Sequence, residues 1–277
     1  MNNNIEISNS SETCQTCGSE LNGNFCSSCG EKKFNPKHDL SIIKFIEHSV
    51  DMYIHFDTKF FRTFKNLFFY PGQLTKDFIS GRRVLFMKPM QLFVLASVIF
   101  YFLLPDTSAY YSRVNELSDP GTLMRYNTKN KIFEKTIKYH ATENQIVATV
   151  NKNVIHSSKL FLFLIFPLWA LIMFALFYKS NKNFVAHLVF SLHCFTFFIF
   201  LHMFYDYALS RFMNFFPLAY LLPLFLIFAF YMFVAIKKFY LSRITVSIIK
   251  SVVVCIVLIF LIEIYRESIT MISLYFL

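Results

Sequence analysis

The chain has 277 residues, of which 55% are hydrophobic, 19% aromatic and only 16% charged. Soluble domains carry about a quarter charged residues, so this balance excludes an ordinary soluble globular protein and points to a bilayer. The net charge of +10 fits loops facing anionic lipid and the positive-inside bias better than it fits nucleic acid.

The first stretch, "MNNNIEISNSSE", is polar. It has neither the apolar core nor the cleavage site of a secretory signal. Residues 1–13 are expected to form a disordered tail.

Two pairs follow, Cys14-x-x-Cys17 and Cys26-x-x-Cys29, each trailed by a glycine, Gly18 and Gly30. A metal knuckle needs a positive φ just after its second cysteine, and glycine permits it. Asn22-Gly23 between the pairs is a strong hairpin signal. A hairpin there would bring the knuckles together over one tetrahedral site. The expectation is a zinc ribbon over residues 14–35, with one structural zinc held by Cys14, Cys17, Cys26 and Cys29. The competing reading is a pair of disulfides. A closed four-cysteine site has no open coordination position, so it is not catalytic. Lys32, Lys33 and Lys37 would offset the charge of the thiolates. In so small a module the metal supplies most of the folding energy. Cys194 and Cys255 fall in apolar segments and read as small core residues.

Residues 36–87 mix apolar and charged side chains at helical spacing. Asp39 can cap a helix striped by Ile42, Ile43, Phe45, Ile46 and Val50. Asp57 can cap a second, with Phe60, Phe61, Phe64, Leu67 and Phe68 on one side and Lys59, Arg62 and Lys65 on the other. Pro71-Gly72 ends it. Such two-faced helices lie in the membrane interface, or pack on the membrane domain or another chain. Gly81 can end the collar with a positive φ. Arg82, Arg83 and Lys88, just before the first apolar run, are expected to contact the lipid surface.

Five runs reach spanning length, about 20 residues for a ~30 Å hydrocarbon core, the first of them short. They lie at about 89–104, 159–178, 184–205, 213–236 and 244–264. The expected fold is therefore an all-α polytopic membrane protein with about five spans over residues 88–277 and a small N-terminal four-cysteine ribbon. Pro217 and Pro223 should kink or shift the start of the fourth span. Residues 106–158 form an insert, in which Ile146, Val150 and Val154 share one face of a helix that can continue into the second span.

The turns "KSNK" (179–182) and "KKFYLSR" (237–243) hold five basic residues and no acid. Arg82, Arg83 and Lys88 flank the first span on the same side. This alternation places the N-terminus in the cytosol and the C-terminus outside. The insert, with seven Lys or Arg, would lie outside, where long segments obey the charge rule poorly. The cysteines would then face a reducing compartment that keeps thiolates free for zinc.

"FCSSCGEK" and then "FDTKFFRTFKNLFFYPGQLTKDFISGRRVLFMKPMQLFVLAS" resemble a bacterial membrane family known as domain of unknown function 3667. Asp57, Thr63, Leu67, Pro71-Gly72, Gly81-Arg82-Arg83 and Pro89 carry the resemblance. "HLVFSLHCFTF" from His187 is similar to that family's third-span motif. Ala186 stands where an acid often precedes the histidine, and Phe195 where a second histidine often stands. The resemblance covers residues 14–104 and 159–205. It implies a zinc-ribbon protein of the bacterial cytoplasmic (inner) membrane and brings no reaction with it.

Within the spans, His187, His193, His202 and Asp206 are the clustered ionisable groups, and such residues mark candidate functional positions. His187 and His202 are about 22 Å apart along a helix, too far for one metal. They serve either a proton or ion path or hydrogen bonds between packed helices. Glu263 and Arg266 are spaced for a local ion pair. The sequence therefore reads as a non-enzymatic membrane scaffold or regulator. Its partners are the lipid bilayer and a candidate cytosolic protein, with no nucleic acid expected. The alternative is a small transporter or channel using the third-span histidines.

Overall fold

The computed structural model describes residues 13–21, 23–35, 39, 41–43, 58–103, 125–180, 182–209 and 217–277. Among them are eight α-helices: α1 (Thr58–Phe69), α2 (Gln73–Ile79), α3 (Pro89–Leu103), α4 (Arg125–Tyr139), α5 (Glu143–Phe177), α6 (Phe184–Leu209), α7 (Pro217–Tyr240) and α8 (Ile244–Tyr275). The tail expected over 1–13 falls almost wholly outside the described residues. So do Asn22, Lys37, Phe45, Ile46, Val50, Asp57 and residues 104–124, which include the first part of the insert.

The bundle is built around α6. Of its apolar stretch 83% is buried, against 39% in α7 and 28% in α8, so α6 is sheathed by protein while the other two keep an apolar outer face. Ring contacts fix the helix directions. Phe93 and Phe100 of α3 meet Phe195 and His202 of α6, so the two run parallel. Phe166 and Phe174 of α5 meet Phe93 and His187, which sets α5 antiparallel to α6. Tyr231 and Phe239 of α7 meet Phe197 and Phe190, again antiparallel. Lys250 of α8 donates to the Leu176 carbonyl at 2.9 Å, and Ile262 shares a small apolar void with Ile165 and His202. Hence α8 runs parallel to α6, and the five apolar helices alternate in direction along the chain.

Three helical stretches among the described residues are long and apolar enough to cross a membrane: Phe184–Ala208, Leu222–Tyr240 and Ile244–Tyr275. This corrects the expectation of five full spans. The other two apolar helices, Pro89–Leu103 and Ile165–Ser180, are shorter. At 15 residues, α3 rises about 22 Å, less than a ~30 Å core.

Boundaries shift for local reasons. α7 is described from Pro217 onward. Residues 213–216 lie outside the described residues. α8 does not stop near 264 but runs through "ESITMISLY" to Tyr275. It can do so because its far end finds a protein partner. α5 starts at a capping box in which Thr142 and Gln145 satisfy each other's backbone N–H, and it continues unbroken into the apolar run. Ile146, Val150 and Val154 on its first half join Ile132 of α4 and Tyr265, Ile269 and Leu274 of α8 in the buried core. Lys135 Nζ donates to the Tyr275 carbonyl at 3.1 Å, and the Tyr139 hydroxyl bonds the Leu277 carbonyl. The described part of the insert, 125–158, thus forms a helical cap with the far end of α8.

The apolar stripe of α1 is turned to protein. Phe64 and Phe68 lie 5.4 and 5.2 Å from Phe200 and Phe197 of α6, edge to face. Thr63 is fully buried, and its hydroxyl accepts from the Met87 amide at 2.9 Å while donating to the Lys59 carbonyl at 2.7 Å. Lys59, Arg62 and Lys65 remain exposed. The bundle covers Phe64, Leu67 and Phe68, while Phe61 of the same stripe stays exposed.

Pro71-Gly72 then turns the chain against α7. Gly72 has φ +78°, and a Cβ there would lie 2.7 Å from the Ala235 carbonyl oxygen. Only glycine meets both conditions. α2 ends in a Schellman motif: Arg82 N–H reaches the Asp77 carbonyl at 2.9 Å and Gly81 N–H the Phe78 carbonyl at 3.3 Å. Gly81 has φ +94°, as its place after the collar requires.

Candidate metal centre

The two cysteine pairs fold as copies of one turn. Gly18 N–H donates to the Cys14 carbonyl and Gly30 N–H to the Cys26 carbonyl, each at 2.9 Å. Cys14 N–H reaches the Ser19 carbonyl at 2.8 Å, and Cys26 N–H the Glu31 carbonyl at 2.7 Å. Gly18 and Gly30 have φ +78° and +73°, the left-handed turn that side chains resist. Single antiparallel bridges, Thr13 to Glu20 and Phe25 to Lys32, close each knuckle.

This geometry gathers Cys14, Cys17, Cys26 and Cys29, with all four Sγ atoms within 4.8 Å of one another. Two of the pairs, Cys14–Cys29 and Cys17–Cys26, are 3.5 Å apart. A tetrahedral zinc with Zn–S near 2.3 Å spaces its sulfurs by about 3.8 Å. A disulfide would require about 2.05 Å. The cysteines are free, and the donor set fits one tetrahedral thiophilic ion such as zinc. Without a metal the thiols titrate unequally. The Ser19 hydroxyl and amide, helped by Cys26, hold Cys17 down to about 6. Cys29 is pushed up to about 12: the Glu31 amide favours its thiolate, but desolvation and the crowding sulfurs outweigh it. Lys32 and Lys33 are exposed beside the cluster.

The basic residues before α3 separate. Arg82 is half-exposed and pairs with Asp77 at 3.5 Å. Arg83 turns into the protein, its guanidinium 4.7 Å from the Phe34 ring and 4.5 Å from the Phe78 ring. Burial pushes that guanidinium down from its ordinary value, while Asp39 and Glu31 act in the opposite sense. Lys88 is partly buried.

His187, His193, His202 and Asp206 are all buried on α6, but they are held at three levels. His187 Nδ1 lies 2.8 Å from the Tyr240 hydroxyl of α7, with Ser180 Oγ 3.5 Å from its Nε2. His193 Nδ1 lies 2.9 Å from Thr75 Oγ1 of α2. His202 interacts electrostatically with Asp206 and with Arg266 of α8, and Arg266 bonds Glu263 at 2.7 Å. The histidines thus join α6 to α7 and α2, and the structure does not assemble them into one site. Cys194 and Cys255 are buried core residues.

Sequence reasoning missed Thr75, Tyr240 and Glu31. The first two become partners only through tertiary packing. Glu31 carried a signal, since it directly follows the second knuckle glycine.

Residues 57–101 match the model of a family described as a protein of unknown function (DUF3667). The matched stretch runs from α1 through most of α3 and includes Thr63, Gly72, Thr75, Gly81 and Arg83. The four cysteines lie outside it. Comparison with curated proteins and with solved structures gives no match.

Proposed function

We propose that this is a non-enzymatic membrane scaffold or regulator. Its four-cysteine ribbon holds one structural zinc and contacts a cytosolic protein partner. The observation that carries the reading is the closed cluster of four sulfurs on a folded module seated at one end of an apolar bundle. A four-thiolate zinc shapes a surface and leaves no coordination position for a substrate.

In this reading α6, α7 and α8 cross a bacterial inner membrane, with the ribbon in the cytosol and the end of α8 outside. The alternating helix directions support it. So do the basic turns at 179–182 and 237–243, which lie at the ribbon end of the bundle, where Lys182 sits 4.6 Å from the Phe239 ring. Arg82 and Lys88 then face the cytosolic head groups.

The test is co-purification from gently solubilised membranes. The same cytosolic protein should come down with the wild type and be lost with Cys26→Ser. Equal recovery with both would contradict a ribbon-borne contact.

One observation favours a small transporter instead. His193 Nε2 and Thr196 Oγ1 are buried without a hydrogen-bond partner among the described residues, as polar groups along an intramembrane path can be. Ion flux in liposomes that disappears in His193→Ala would establish that reading. Absence of flux in the wild type would remove it.

A further inference from the structure

Glu31 follows the second knuckle and is only 5% exposed. Its carbonyl accepts from Cys26 N–H at 2.7 Å, so the fold of the cysteine turn fixes its backbone. One carboxylate oxygen, Oε2, accepts three hydrogen bonds: from Thr16 Oγ1 in the first knuckle at 2.7 Å, and from the amides of Arg83 and Val84 at 3.0 Å each. A buried carboxylate accepting from two successive amides is a strong, directional contact. It joins both knuckles to the segment between α2 and α3.

A second contact lies beside it. The Phe34 ring occupies the space above Gly81, where a Cβ would sit 2.8 Å from Phe34 Cβ. The Arg83 guanidinium stacks on Phe34 and Phe78, and its Nε donates to the Phe78 carbonyl at 3.2 Å. Asp39 and Glu31 place negative charge around it. On the membrane side, α2 is held by Gly72 against Ala235 and by Thr75 against His193.

We propose that the ribbon is a metal-dependent latch: the loaded four-cysteine cluster positions Glu31 and Phe34 so that they lock the α2–α3 junction onto the bundle. This rests on the zinc reading above and deepens it. The cluster is far too small to stay folded without its ion. Losing the metal therefore removes the geometry that aims Glu31 at Arg83 and Val84. The device needs no chemistry beyond binding and release, and its output is the freedom of the segment leading into α3.

The test is amide hydrogen exchange on the full chain in detergent, read on peptides covering residues 82–86, with zinc content measured on the same samples. In the loaded protein, Arg83 and Val84 should exchange at least about tenfold slower than after chelation, because opening of the junction then becomes local and frequent. Glu31→Ala should keep its zinc and lose that protection, with α6 amides unchanged. Gly81→Leu, which displaces Phe34 and touches neither the cysteines nor Glu31, should do the same. Equal protection with and without metal, or full protection in zinc-loaded Glu31→Ala, would overturn the latch. Zinc missing from the wild type would overturn the metal reading itself, and the zinc measurement separates that failure from failure of the latch alone.

Discussion

At the scale of single residues, local geometry and distant packing place different demands on the chain. The four cysteines were legible because ligand spacing and the glycines after it are local properties. Gly72 was legible only as a turn. Its second role, close approach to Ala235, depends on a helix far along the chain. Gly72→Ala should cost about 1–2 kcal/mol from the left-handed φ alone, with a further penalty for overlap at 2.7 Å from the Ala235 oxygen. The expected result is a lower midpoint in thermal unfolding of the detergent-solubilised protein, with zinc content unchanged. Thr75→Val tests the other anchor of α2. It keeps the shape but leaves His193 Nδ1 buried without its 2.9 Å partner, a loss of about 1–3 kcal/mol. Thr75→Ser keeps the hydroxyl and should lose clearly less stability in the same melt.

At the scale of elements, periodicity and breaker residues located the helices well and their partners poorly. The apolar stripe of α1 was visible, but a stripe does not name what covers it. Phe197 and Phe200 of α6 do so here. The far half of α8 was the least legible element. Its charges and hydroxyls fall below a spanning pattern, yet Ile269 and Leu274 are buried against the insert helices. The helix through Ile146, Val150 and Val154 was readable because its stripe is regular and Thr142 caps it. Val150, fully buried, is the natural probe of this cap. Val150→Asp would bury an unpaired carboxylate, which costs several kcal/mol or forces the cap open. Protease added to the side of the membrane facing the insert should then cut between 125 and 157, where the wild type resists. Equal resistance would mean that α4, α5 and α8 do not form one unit.

For the whole molecule, composition alone separated membrane from soluble protein, because 37 phenylalanines among 277 residues demand an apolar surround. The span count was harder to read. An apolar run can continue into a more polar stretch of the same helix, as in α5 and α8, so helix length and apolar length differ. The proposed orientation rests on charge and alternation. An extracytoplasmic reporter should be active when fused after Leu277 and silent when placed before Cys14, and the reverse pattern would contradict the assignment. A bound metal, in the function proposed above, holds the four-cysteine module at the end of the apolar bundle. Metal analysis of the full-length protein, purified under reducing conditions, tests it most directly. The expected result is about one zinc per chain and essentially none in Cys26→Ser, with the helical content of the bundle retained in both. Wild-type protein that carries no zinc, or Cys26→Ser that keeps a full equivalent, would contradict it.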